Sequence, residues 1–169
     1  TYQNGQTITK AAGLDYAANS GASIVYNGHW PVGSAPDDGG GISFAGSQVS
    51  TAHIRDGTSS TYLLGEKYIG PDQYVNGTDD GDDHGMYEGH GVDTYRWAVY
   101  DAAGGNHILP YRDTPGVMYW WSFGSPHGAG CNFAFADGSV QLIRYSIDPQ
   151  IHANLAHRAD GSAVDVSNL

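Results

Sequence analysis

The sequence has one cysteine, Cys131, and only two lysines, Lys10 and Lys67, among its 169 residues. A single thiol excludes an internal disulfide. Lys and Arg together number 7 against 18 Asp and Glu, a formal net charge of −11. A chain so acidic repels phosphate backbones, which excludes nucleic acid as a partner, and it lacks the polybasic stretch that would hold it to an anionic membrane. No apolar run approaches the roughly 20 residues needed to span a bilayer, and no secretory leader is recognisable. The opening at Thr1 rather than Met reads as a processed or truncated product. Catalytic signatures are scarce as well. No Gly-x-Ser-x-Gly elbow occurs, and Gly39-Gly40-Gly41 lacks the Lys and Ser/Thr of a phosphate loop.

What is abundant is glycine, at 25 residues, and tyrosine, at 12, with hydrophobic residues making up 40%. That apolar content excludes intrinsic disorder. Gly, Tyr, Ser and Thr richness with few Lys and Leu disfavours a helical bundle and favours short strands joined by turns. The expectation is one domain over residues 1–169, of α+β class. It is mainly antiparallel sheet, with long loops and a short C-terminal helix.

Asn4-Gly5, Asn19-Ser20-Gly21 and Asn27-Gly28 read as turns. Residues 11–18 fit either a short helix or an edge segment, and 23–26 a strand. Tyr62-Leu63-Leu64-Gly65-Glu66-Lys67-Tyr68-Ile69 reads as a buried strand, and the aromatic runs in 94–101 and 117–123 as strands. The clearest local pattern is a hairpin over 131–145. Asp137-Gly138 is predicted as a two-residue type I′ turn. That register sets Phe135 opposite Val140 and Phe133 opposite Leu142, all four on one core-facing side. Cys131 opens the hairpin as a small buried side chain. Asp148-Pro149 is a helix start, with Asp as N-cap and Pro at the first position. It predicts a helix over about 149–157 with Ile151 and Leu155 on one face. Asp160-Gly161 then turns the chain into a last strand near Ala163 to Val166.

Two blocks carry a resemblance. One is Ile54-Arg55-Asp56-Gly57-Thr58-Ser59-Ser60-Thr61-Tyr62-Leu63-Leu64-Gly65-Glu66; the other is His127, nine residues, then Asp137-Gly138. Leu14-Asp15-Tyr16-Ala17-Ala18-Asn19-Ser20-Gly21 is a weaker third. Together, in this order, they resemble a prepilin-type family of Planctomycetes and related bacteria. Its members have a pilin-like leader and apolar helix, then a globular head with a C-terminal His-x9-Asp-Gly motif. Ser60 stands where that family has Asn, and the leader and helix have no counterpart here. The resemblance implies an extracellular or cell-surface protein whose pseudopilin-like head self-associates or meets other envelope proteins.

Candidate chemistry divides between local structural roles and ligands. Asp137 and Gly138 suit a turn, and Asp56 can accept from the backbone amides of Gly57 to Ser59. His127 stands one strand length from Asp137, so the two do not form a dyad; His127 can join Glu66 or Asp56 instead. Glu66, inside an apolar strand, needs Arg55, Arg96 or Arg144, or a metal. Asp79, Asp80, Asp82, Asp83, Glu88 and Asp93, with His84 and His90 among them, are candidate calcium ligands in an irregular acidic loop; a solvated loop is the other reading. A zinc site on His84 and His90 lacks a third ligand fixed by spacing. Trp120 and Trp121, adjacent on a predicted strand, would face opposite ways, and an exposed one could stack on a glycan.

The expected function is a non-enzymatic structural subunit of a surface fibre, calcium-stabilised if the acidic loop binds the ion. Its rivals are a calcium-dependent carbohydrate-binding module and, further off, a metallohydrolase built on His127, Glu66 and Asp56.

Overall fold

The computed structural model describes residues 2–3, 6–7, 12–23, 39–87, 89, 91–166 and 169. The expected turns at Asn4-Gly5 and Asn27-Gly28 and most of the 23–26 strand lie outside them, as do Glu88 and His90. The strands are β1 (Tyr2–Gln3), β2 (Gln6–Thr7), β3 (Tyr16–Asn19), β4 (Tyr62–Glu66), β5 (Tyr95–Arg96), β6 (Tyr111–Arg112), β7 (Gly124–Ser125), β8 (Gly130–Phe135) and β9 (Val140–Arg144), followed by helix α1 (Pro149–Ala156). The main sheet runs β5-β3-β4-β8-β9. All its pairings are antiparallel except β3 with β5. Pairs β1-β2 and β6-β7 form two small sheets. The fold is therefore α+β, mostly antiparallel, with long loops and one short C-terminal helix, as the composition implied.

One face of the main sheet is the core. Tyr62, Phe133, Phe135, Cys131 and Ile143 are inaccessible to solvent and pack with Phe123, Leu155 and Ala156. Tyr62 stacks on Phe133 at 4.1 Å between ring centroids. Gly65 is required here by space: a Cβ on it would lie 2.7 Å from the Phe133 ring and 2.9 Å from that of Phe123. Helix α1 closes this face. Asp148 caps it by accepting from the amides of Gln150 (2.9 Å) and Ile151 (3.1 Å), with Pro149 in the first turn. Among the helix residues, His152, Ala153, Leu155 and Ala156 are buried, while Ile151 is only half-buried.

Three expectations are corrected. The hairpin register is shifted by one: Ala134 faces Val140, Phe133 faces Gln141 and Asn132 faces Leu142. The loop has three residues, not two. The Phe135 amide bonds the Ser139 carbonyl (2.8 Å), the Gly138 amide bonds the Phe135 carbonyl (2.9 Å), and Gly138 takes the left-handed conformation at φ 88°. This is a turn with a glycine bulge. Because side chains alternate, the shift moves Val140 and Leu142 to the outer face. They are 66% and 45% exposed. Secondly, no strand forms over residues 163–166, which run as irregular chain with Val164 and Val166 against the core. Thirdly, Trp120 and Trp121 sit in a turn rather than a strand and meet edge to face at 4.9 Å.

Candidate functional site

The family-like blocks converge on one cleft. Glu66, at the end of β4, and His127, in the turn before β8, both line a cavity of about 370 Å³ together with Asp15, Tyr16, Tyr74, Asp82, Asp113 and Ser125. Glu66 Oε1 lies 3.3 Å from His127 Nε2. Its other oxygen accepts from the backbone amide of Asn132 (2.6 Å) and from the Asn132 side chain (3.2 Å). The partners of Glu66 are thus the β8 strand and His127, not the arginines. The His127 carbonyl accepts from the Tyr145 hydroxyl at 2.9 Å, and that hydroxyl also meets Ser125 at 3.0 Å. Across the cleft, the Tyr74 hydroxyl donates to Asp113 (2.6 Å), and burial pushes the Asp113 carboxyl up against the effect of that bond.

Asp56 is not in this cleft. Its two oxygens accept from the amides of Asp160 (2.8 Å) and Gly161 (2.9 Å), which fastens the segment after α1. The three-residue convergence that a hydrolase would need therefore fails at Asp56. Asp137 accepts from the Ser139 amide (2.9 Å) and hydroxyl (2.6 Å), which hold its carboxyl below the usual range. Asp137 holds its own turn, as its sequence position suggested, whereas Asp56 holds the distant Asp160-Gly161 segment and not the amides of Gly57 to Ser59 that the sequence offered.

The acidic loop does not gather its aspartates around one point. Buried Asp79 accepts from the amides of Gly70 (2.8 Å) and Gly81 (2.9 Å). Asp82 pairs with Lys67 at 2.6 Å. Asp80 is exposed. Asp83 Oδ1 meets His84 Nδ1 at 2.8 Å, and Asp93 Oδ1 accepts from the His84 amide at 2.8 Å. The loop is wrapped instead around two buried cations of the protein itself. Lys67 donates to the carbonyls of Gly81 (3.0 Å) and Asp93 (2.9 Å) as well as to Asp82, which uses all three of its donors. Arg96 donates to the carbonyls of Ser122, Val92, Tyr95 and Gly81. Burial pulls its guanidinium down to about 10, opposed first by Asp79. Sequence reading missed this pair, although a lysine directly after an apolar strand in a chain with only two lysines was a signal for it.

Trp121 is half-buried against Tyr95, Trp97 and Ile108, and Trp120 is half-buried beside it.

Over residues 1–150 the chain matches the family described as a protein of unknown function, DUF1559. The chain belongs to this family. No curated protein and no solved structure matches it. For this DUF1559 member, the arrangement around Glu66 and His127 is therefore read from its own geometry. The Glu66 carboxylate stitches β4 to β8, and His127 closes the cleft above it. Beside the pair, Ser125 Oγ donates to the Gly130 carbonyl (3.1 Å) and lies 3.0 Å from the Tyr145 hydroxyl.

Proposed function

We propose that this chain is a non-enzymatic, extracellular, pilin-like structural subunit that associates with a second copy of itself along the outer edge of β9. The observation that carries this reading is the character of that edge. Among the described residues β9 is the last strand of the sheet and pairs only with β8. Edge strands are ordinarily blunted by charges, proline or a covering element, because unpaired amides and carbonyls template further strands. Over β9 this edge carries no proline and a single charge, the exposed Arg144 at its end, while Val140 and Leu142 stand exposed beside it. The opposite edge strand, β5, has both residues buried. Of the two edge strands of the main sheet, β9 is the one with exposed residues, so a like strand meeting it makes an isologous, two-fold contact, with the Val140 and Leu142 rows meeting their counterparts.

The outer sheet face continues the apolar surface. The cross-strand row Ala18, Leu64, Ala134, Val140 leads into a groove of about 710 Å³ lined by Leu14, Tyr16, Ile42 and Leu63. The non-enzymatic part of the reading is supported by the engagement of Asp56, Glu66 and Asp137 in hydrogen bonds that hold turns and strands together.

The test is sedimentation of the full chain over a concentration series, beside a Val140→Glu, Leu142→Glu double variant. Both positions are exposed, so the variant is expected to keep its melting temperature and remain monomeric, while the parent dimerises. Dimerisation should tighten with salt, because the charge of −11 on each copy is screened within about 8 Å at physiological ionic strength. A parent that stays monomeric at high concentration and high salt overturns the proposal.

A further inference from the structure

We infer that Asp83, His84 and Asp93 form a binding site for a zinc-class divalent cation, independent of the β9 contact and different in ligands and chemistry from a calcium loop. Asp83 Oδ1 and His84 Nδ1 are 2.8 Å apart, and Asp93 Oδ2 is 3.5 Å from the same nitrogen. All three ligand atoms lie within 4.8 Å of one another. A tetrahedral centre with bonds of about 2.0–2.1 Å sets its ligand atoms about 3.3 Å apart. The two distances bracket that value.

A second observation points to a ligand. The Asp93 side chain is only 2% exposed, yet its Oδ2 has no hydrogen-bond partner. A buried carboxylate oxygen left so is costly unless something cationic meets it. The other oxygen is fixed by the His84 amide at 2.8 Å, so the carboxylate cannot turn away. The electrostatic balance agrees. Asp79, Asp80, Asp82, Asp83 and Asp93 outnumber the buried Lys67 and Arg96 by three, and a dication offsets two of those three charges.

The donor set selects the metal class. One imidazole nitrogen and two carboxylate oxygens suit zinc and its neighbours. Calcium wants six to eight oxygens, and the nearby Asp79 and Asp82 already serve the Gly70 and Gly81 amides and Lys67. Asp83 and His84 are each about two-fifths exposed, so solvent can reach the centre and complete the coordination. Binding there would clamp the Asp83-His84 turn onto Asp93.

The experiment is calorimetric titration of the metal-stripped full chain with zinc and, separately, with calcium. Cobalt absorption serves as a second readout of a nitrogen-containing tetrahedral site. The prediction is one equivalent of zinc, a tenfold or greater loss of affinity in His84→Ala, and an unchanged affinity in Asp80→Asn. Melting curves without metal confirm that His84→Ala is folded. Absence of zinc binding, equal affinity in His84→Ala, or tighter binding of calcium than of zinc would overturn the inference.

Discussion

His152 should make this protein acid-labile in a way that a single substitution removes. The imidazole is fully buried in the core, with ring centroids 5.5 Å from Tyr62, 5.9 Å from Phe133 and 6.4 Å from Phe123. Its Nδ1 lies 3.2 Å from the Tyr62 hydroxyl, and its Nε2 has no hydrogen-bond partner. Burial pulls its pKa down to about 3 from 6.5. A folded-state value below the unfolded one means that unfolding takes up a proton at intermediate pH. The stabilising contribution is therefore complete above pH 6.5 and is lost as pH falls from 6.5 towards 3. At 1.36 kcal/mol per unit the full window is worth on the order of 5 kcal/mol, and the step from pH 7 to pH 5 about 2 kcal/mol. Surface carboxylates also titrate towards the acid end, so the measurement is a difference. Urea unfolding at pH 7, 6 and 5 on the parent and on His152→Leu, which fills the same apolar space without ionising, should show the parent losing about 2 kcal/mol more than the variant. Equal losses would refute the buried neutral imidazole.

Two other substitutions probe the frame around the acidic loop and the core. Lys67→Met leaves the carbonyls of Gly81 and Asp93 and the Asp82 carboxylate without their ammonium; because Asp82 is 21% exposed and rehydrates in part, the cost should be near the lower end for broken buried pairs, about 3 kcal/mol. For a chain of this length that corresponds to a fall in melting temperature of roughly 6–12 °C, and an unchanged melting curve would contradict the picture of a loop folded on its own cations. Gly65→Ala drives a methyl group into the Phe133 and Phe123 rings and should cost about 1–3 kcal/mol by chemical denaturation; a neutral result would mean that the rings are not seated where they are described.

How far the sequence could be read depended on whether the deciding interaction was local. Asp148-Pro149 named the start of α1 because capping involves only the next three residues. Asp137 was legible as a turn residue for a similar reason; Asp56 was not, because the amides it accepts belong to Asp160 and Gly161, far along the chain, rather than to Gly57 to Ser59. The hairpin itself was legible but its register was not. Asp137-Gly138 fits a two-residue turn as well as the last two positions of a three-residue bulged loop, and only the pairing of β8 with both neighbours decides between them. That single-residue difference turned Val140 and Leu142 from core residues into the exposed edge on which the functional reading rests. In the acidic loop the carboxylates were visible, while the buried cations that occupy its interior are Lys67, directly after β4, and Arg96, in β5. Charge counting therefore offered an external cation for Asp79, Asp80, Asp82, Asp83, Glu88 and Asp93, with a solvated loop as the other reading, where among the described residues of the loop the fold brings Asp83, His84 and Asp93 together. Glu66 and His127 were paired correctly as one alternative, since both end at the same margin of the sheet.

The central claim is that copies of this chain meet along β9. The most direct test is amide hydrogen exchange across Val140–Arg144 at low and high protein concentration, with the amides of α1 as the internal reference. Association along this edge predicts that exchange within β9 slows as concentration rises while α1 is unaffected. Exchange in β9 that is independent of concentration, in samples shown by sedimentation to be associated, would place the contact elsewhere and contradict the account.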